Sequence, residues 1–308
     1  MSILQTLKNV ISPSSSREKR VSVIGTRTAG KTTALGCLYL TCQIMSAMEP
    51  GFLYKVEEKT SGIREAPSML RRGRFPTATL PGQYYEADFI MRWKGWGDET
   101  ARLPFCEAAG EDEQKLLEPF QGGMYNINTD FRQIDSINKY ILESNAFIFV
   151  AATNRVTQLE ETQWYEKEPD QTFVDPDVNL ARFIDKIFKY KEITRSAPIE
   201  GIAVLLTKYD EIRHLAKASG MSLETPQGAR AFLDVNFPDT TASLKFYGLE
   251  KVKFFPVWVD TEKDENHRTI KDAQGNAKIV MDMRRRLPSY SIDSYKDLIQ
   301  YIKTVITK

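Results

Sequence analysis

Cysteine is nearly absent. The three present in 308 residues, Cys37, Cys42 and Cys106, are too few and too irregularly spaced for a disulfide framework or a zinc knuckle. Histidine is scarcer still: only His214 and His267 occur, which argues against a histidine-based metal site or a Ser-His triad. No apolar run approaches the roughly 20 residues needed to cross a bilayer, so a soluble protein of a reducing, cytoplasmic compartment is expected. Excess charge is missing as well. Lys and Arg total 42 against 41 Asp and Glu, which removes the electrostatic case for a dedicated nucleic-acid binder. Two local basic runs, RRGR at 71–74 and RRR at 284–286, read as solvated loop charge.

The length suits one large α/β domain with insertions better than two small domains. The opening MSILQTLKNVI puts Ile3, Leu4, Leu7, Val10 and Ile11 on one helical stripe ahead of the polar stretch SPSSSREKR. Residues 1–19 therefore read as an amphipathic helix and linker. Its apolar stripe can dock on its own domain, or against a partner or a membrane surface. Lacking a charged start and a long apolar centre, it makes a poor signal peptide.

The most informative stretch is VSVIGTRTAGKTTALGCLY, residues 21–39. Val21, Val23 and Ile24 suit a buried strand, and Thr32 and Thr33 open a run that continues as a helix. Between them Gly25, Gly30, Lys31 and Thr32 stand at the spacing G-x-x-x-x-G-K-[ST]. In this strand-loop-helix context the backbone N–H groups of Thr26, Arg27, Thr28, Ala29, Gly30 and Lys31 converge, with the helix N-terminus, on a space suited to phosphate oxygens. Lys31 adds a full positive charge for the β and γ phosphates, and the Thr32 hydroxyl is a natural Mg²⁺ ligand. Both side chains are expected to face a solvent-filled loop. The implied ligand is a nucleoside triphosphate.

Further along, residues 51–81 are rich in charge, Pro and Gly without a sustained period, and read as an insertion plus a mobile loop. YYEADFIMRWKG from Tyr84 and RLPFCEAAG from Arg102 read as a hairpin of two strands. Ile134, Ile137 and Ile141 mark a helix before the apolar strand AFIFVAAT; Leu180, Ile184, Ile187 and Phe188 mark another before IAVLLT. VKFFPVWV from Val252 is the last strand. A closing helix follows, with Tyr295, Leu298, Ile299, Ile302, Val305 and Ile306 as its buried face. Apolar strands alternating with amphipathic helices predict a three-layer α/β fold, a mostly parallel sheet with helices on both faces and one antiparallel hairpin strand.

Ligands of such sheets sit beyond the carboxyl ends of the strands. The strand from Ile202 ends in Thr207, Lys208, Tyr209 and Asp210, and there the chain resembles a P-loop GTPase, whose guanine-recognition motif is [NT]KxD. The resemblance implies a P-loop NTPase fold over residues 20–308, with insertions near 49–75, 154–175 and 262–290. It implies that Asp210 accepts two hydrogen bonds from guanine, and that Lys208 lies along the base and braces the phosphate loop. Where the family places DxxG, this chain has Glu107 and Gly110, so Glu107 is the implied holder of a metal-bound water and Gly110 the γ-phosphate contact. For the mobile-loop threonine that meets Mg²⁺, RFPTATLPG offers Thr77 and Thr79; Thr77, after Pro76, is more similar to the PT of several small GTPases. No [ST]AK-like triplet stands after the last strand, where VWVDTE occurs instead. The Gly110-Glu111 pair is also similar to bacterial and archaeal double-GTPase-like proteins.

Arg27 and Glu111 depart from the family, which more often has a small residue and a water-positioning Gln at those places. An arginine there can offset charge redistributed in the transition state, whereas a carboxylate is repelled by the γ-phosphate. Arg27 pairing with Glu111 at rest would keep hydrolysis slow until a partner rearranged them. The function implied is GTP binding with Mg²⁺-dependent hydrolysis to GDP and phosphate, a molecular switch read by an effector or regulator protein. The alternatives are a P-loop ATPase or nucleotide kinase, for which Asp210 has no role, and a pseudo-GTPase that binds nucleotide without turnover.

Overall fold

A computed structural model describes residues 19–25, 29–59, 63–77, 84–94, 99–108, 141, 143–153, 176–194, 196, 198–219, 221–248 and 252–306. Seven strands form one sheet: β1 (Lys19–Gly25), β2 (Phe52–Glu58), β3 (Tyr84–Trp93), β4 (Glu99–Ala108), β5 (Ala146–Ala152), β6 (Gly201–Thr207) and β7 (Val252–Pro256). Their order across the sheet is β2-β3-β4-β1-β5-β6-β7. β1 pairs in parallel with β4 and β5, β5 with β6, and β6 with β7. β3 is antiparallel to both of its neighbours, so it alone of the seven runs against the rest.

The helices among the described residues are α1 (Lys31–Met48), α2 (Glu65–Arg71), α3 (Pro176–Thr194), α4 (Tyr209–Ala218), α5 (Pro226–Asn236), α6 (Pro238–Phe246) and α7 (Ile292–Ile306). β5 and β6 are buried along their whole lengths, as strands covered on both faces must be. The pleat divides them. Ile148 and Val150 of β5, with Ala203 and Leu205 of β6, join a core containing Leu35 and Leu38 of α1 and Leu298 and Ile302 of α7. Phe147 and Phe149, with Ile202, Val204 and Leu206, join a second core containing Ile184 of α3, Ile212 of α4 and Phe232 of α5. A residue period of two thus feeds two helix layers from the same strands. Truncating a fully buried side chain such as Phe149 to alanine costs about 3–5 kcal/mol in such a setting.

The stretch read as irregular between 51 and 81 contains regular structure. β2 pairs with β3 over seven residues, and α2 packs on α1. At the sheet edge only Phe52 and Val56 of β2 are buried, and the exposed Leu53 between Phe52 and Tyr54 breaks the alternation of FLYKVEE, so no period of two shows. The helices α4 to α6 fill the segment between β6 and β7. Thr225 caps α5 by accepting from Gly228 N at 3.1 Å, with Pro226 in the first turn. Asp177 of α3 accepts from the backbone N–H groups of Asp239 and Thr240 at 2.9 and 2.8 Å, fastening the start of α6.

The residues near 262–290, expected to be an insertion, form an ordered tongue between β7 and α7. It contains the short strands β8 (Met281–Asp282) and β9 (Leu287–Pro288) and four isolated bridges. Two closed rings of backbone hydrogen bonds hold it: Asp260 N to Ser289 O, Ser289 N to Val280 O and Val280 N to Asp260 O, then Glu262 N to Lys278 O, Lys278 N to Ile270 O and Ile270 N to Glu262 O. The N-terminal helix, the Ile134 and Ile137 positions of the helix before β5, and the insertion at 154–175 lie outside the described residues. Among the described residues, no helix is long and apolar enough to cross a membrane. Cys37 and Cys42 are buried free thiols.

Candidate functional site

The parallel register places Gly25 beside Val150 and Ala152 beside Thr207, so β1, β5 and β6 end along one sheet edge. At Gly25 a Cβ would lie 2.7 Å from the Val150 carbonyl oxygen, so the chain can leave β1 here only as glycine. Gly30 has φ 85° and precedes α1, where no side-chain cap is present. The α1 N-terminus therefore points its backbone dipoles at the space beyond the strand ends, with no side-chain carboxylate or hydroxyl at Gly30 to occupy it.

Lys31 begins that helix, and the expectation that it faces solvent is not met. The residue is only 4% exposed, and its ammonium donates to the Gly25 carbonyl at 2.8 Å. The chain from Gly25 to Lys31 is closed on itself by the lysine, which packs its stem inward and takes the nearest main-chain acceptor. Thr32 and Thr33 follow, half-buried. Thr26, Arg27 and Thr28 lie outside the described residues, as do Thr79, Gly110 and Glu111. Thr77 is exposed on the coil after α2. β1 and β4 pair at Lys19 with Ala101 and at Arg20 with Arg102. Glu107 is the next-to-last residue of β4, and its side chain lies outside the described residues.

Thr207 braces β6 against the loop between Gly25 and Lys31. Its hydroxyl donates to the Ala29 carbonyl and lies 3.2 Å from the Ala151 carbonyl, while Thr153 donates to the Thr207 carbonyl at 2.7 Å. Lys208, the residue expected to brace the loop, has φ 59° and forms the N-cap position of α4. That left-handed turn lifts the chain from β6 into α4 and sets Asp210 in the first helical turn.

The Asp210 side chain is 9% exposed and accepts from the Thr261 hydroxyl at 2.8 Å and the Lys263 ammonium at 3.3 Å. Burial raises its carboxyl above the usual carboxylate range, opposed chiefly by Lys263 and then by the Thr261 hydrogen bond. Thr261 and Lys263 lie just past β7, where the sequence shows no [ST]AK-like triplet. VWVDTE stops one residue short of Lys263, and the visible signal is [ST]-x-K following an apolar strand. Around them Arg213 of α4 stacks its guanidinium 4.5 Å over the Trp258 ring and binds Glu224 at 3.2 Å. His214 stacks on His267 with ring centroids 4.5 Å apart. These contacts fix the tongue against α4.

No protein-family model matches this chain, and no curated protein sequence matches it. What the geometry offers is an anion-ready helix terminus with a lysine at its mouth, linked through Thr207 to a buried, oriented carboxylate. Among the described residues no cluster of three or more His, Cys, Asp or Glu could by itself hold a metal ion.

Proposed function

We propose that this protein has a P-loop NTPase fold, binds guanine nucleotides and hydrolyses GTP slowly with Mg²⁺, acting as a switch read by an effector or regulator protein. Thr207 carries the proposal, because one hydroxyl joins the strand end bearing Asp210 to the Ala29 carbonyl of the phosphate loop. A phosphate-binding terminus and a base-reading carboxylate are thereby held together on one sheet edge. The fit to phosphate is supported by the α1 N-terminus at Gly30, which has no side-chain cap, and by a buried lysine whose ammonium donates to the Gly25 carbonyl at the start of the same loop.

In this reading Lys31 turns from Gly25 to phosphate oxygens, and the Thr32 hydroxyl, aided by Thr77 and Glu107, holds the metal. Mg²⁺ held there would supply charge neutralisation for the triphosphate. Asp210, aligned by Thr261 and Lys263, accepts the paired donors of the guanine edge. Arg27 offsets charge in the transition state, Gly110 contacts the γ-phosphate and Glu111 restrains Arg27 at rest.

Equilibrium binding of GTP, GDP and ATP, followed by single-turnover phosphate release, tests the whole reading. GTP and GDP are expected to bind far more tightly than ATP, with slow phosphate release from GTP. Equal affinity for ATP would sink the guanine assignment, and tight GTP binding without any phosphate release would leave a nucleotide-binding scaffold instead.

A pH titration tests Asp210 separately. Only the ionised carboxylate accepts both guanine donors, and its pKa is raised by burial. On acidification GTP affinity should begin to fall at a pH above the ordinary carboxylate range, and Lys263→Met should move that fall to higher pH still, because the largest opposing influence is gone. A Lys263→Met profile superimposable on the wild type would contradict this.

A further inference from the structure

The fold joins the two basic runs that the sequence separates by about 210 residues. A Cβ built on Gly73 would lie 3.6 Å from the Met281 sulfur, so the backbone of RRGR sits against β8. Phe75, Met281 and Leu287 pack on the same core and anchor both segments. Asp272 of the tongue, whose carboxyl is held below its usual range chiefly by the Asn276 backbone N–H, lies near enough to Arg74 to feel its charge as a smaller influence in the same direction. Arg71, Arg72 and Arg74 on one segment and Arg284, Arg285 and Arg286 on the other are all exposed. Asp282 opposes them in part, 3.7 Å from Arg285 Nε. Between β8 and β9 the same turn carries Met283, 82% exposed.

Six arginines so gathered repel one another, and in a chain with net charge of only +1 this is a local concentration rather than an overall excess. Every one of the six is arginine, whose planar fork pairs with phosphate oxygens in a bidentate manner. The adjoining apolar apex decides among anionic partners. Nucleic acid presents phosphates with no apolar layer for Met283, and a side chain so fully exposed lines no groove that a peptide could fill. A surface with phosphates outside and hydrocarbon beneath accommodates both features.

We propose that the composite face of residues 71–74 and 283–286 docks on an anionic lipid surface, the arginines on headgroup phosphates and Met283 at the acyl boundary. The inference stands apart from the nucleotide site, and its test uses the full chain without nucleotide. The protein is mixed with vesicles of phosphatidylcholine alone, or of phosphatidylcholine with phosphatidylserine, and the bound fraction is measured by flotation at low and high salt.

Each basic residue near such a surface is worth about 1 kcal/mol, roughly fivefold in partition. Arg284→Glu with Arg285→Glu should therefore lower binding to the anionic vesicles at least about 25-fold, and so should Arg71→Glu with Arg72→Glu on the other segment. Met283→Ser should weaken binding severalfold and leave its salt dependence unchanged. The α2 pair keeps the test valid should the turn variant fold poorly. Equal binding to neutral vesicles would overturn the proposal, as would indifference to the α2 pair. Wild-type protein that ignores vesicles but retains polyglutamate or single-stranded RNA in an arginine-dependent way would assign the face to a protein or nucleic acid instead.

Discussion

Asp210→Asn should lower GTP affinity by up to about 10⁴-fold and make xanthosine triphosphate the preferred ligand. The carboxylate sits in the first turn of α4 with 9% of its side chain exposed. A buried acceptor that loses its paired donors is left unsatisfied, which is what makes a built hydrogen-bonding site so selective. Asparagine turns one acceptor into a donor, which matches the carbonyl of xanthine where guanine has an amine. Thr261 and Lys263 can still bind the remaining oxygen, so the fold is expected to persist. Isothermal titration with GTP, xanthosine triphosphate and ATP reads the outcome. Unchanged GTP affinity in Asp210→Asn would remove this residue from the base site, whatever the phosphates do.

The second large effect belongs to Lys31. Lys31→Met keeps an apolar stem of similar length at a position only 4% exposed, so packing around the start of α1 is largely retained. The Gly25 carbonyl loses its partner, a change on the order of 1–3 kcal/mol, offset by no longer burying an ammonium. Thermal stability should therefore move little. Truncating one partner of a buried, hydrogen-bonded charge pair costs about 2–5 kcal/mol, so GTP affinity should drop roughly 10²-fold or more. A variant that melts far below the wild type yet binds GTP as tightly would show that the lysine is structural and that the loop holds no phosphate.

The central strands were legible because burial on both faces leaves a continuous apolar signature, as in AFIFVAA and GIAVLLT. β2 was not, since an edge strand needs only Phe52 and Val56 inside. The tongue was read as an insertion because its order comes from backbone rings, together with aspartates that cap its turns. Asp264, Asp272 and Asp282 each accept backbone N–H groups two to four residues ahead, a device invisible to hydrophobic periodicity.

At the site, Gly25, Gly30 and Lys31 were legible from a fixed local spacing. The role of Thr207 toward Ala29 spans 178 residues and needed the fold. Thr261 and Lys263 lie after β7 at the spacing of [ST]AK but with Glu262 in place of the alanine, so their meeting with Asp210 appeared only in three dimensions.

The tongue leaves and rejoins the body at a pinched neck, where Trp258 N donates to Ser291 Oγ at 2.9 Å and Ser291 N to the Trp258 carbonyl at 3.2 Å. Such a neck makes the segment between these residues a natural unit of deletion, lengthening or exchange, since a short linker could bridge it without disturbing β7 or α7. Its first residues, however, include the hydroxyl and ammonium that accompany Asp210. Lys263 in turn donates to Thr269 at 2.8 Å, and Ile279 is buried in the core of the body, so wholesale loss of the tongue would strand a buried carboxylate and uncover apolar surface. Only the exposed tip at residues 273–276 stands clear of both the core and the partners of Asp210, and it is there that a graft or a lengthened turn would cost the body least.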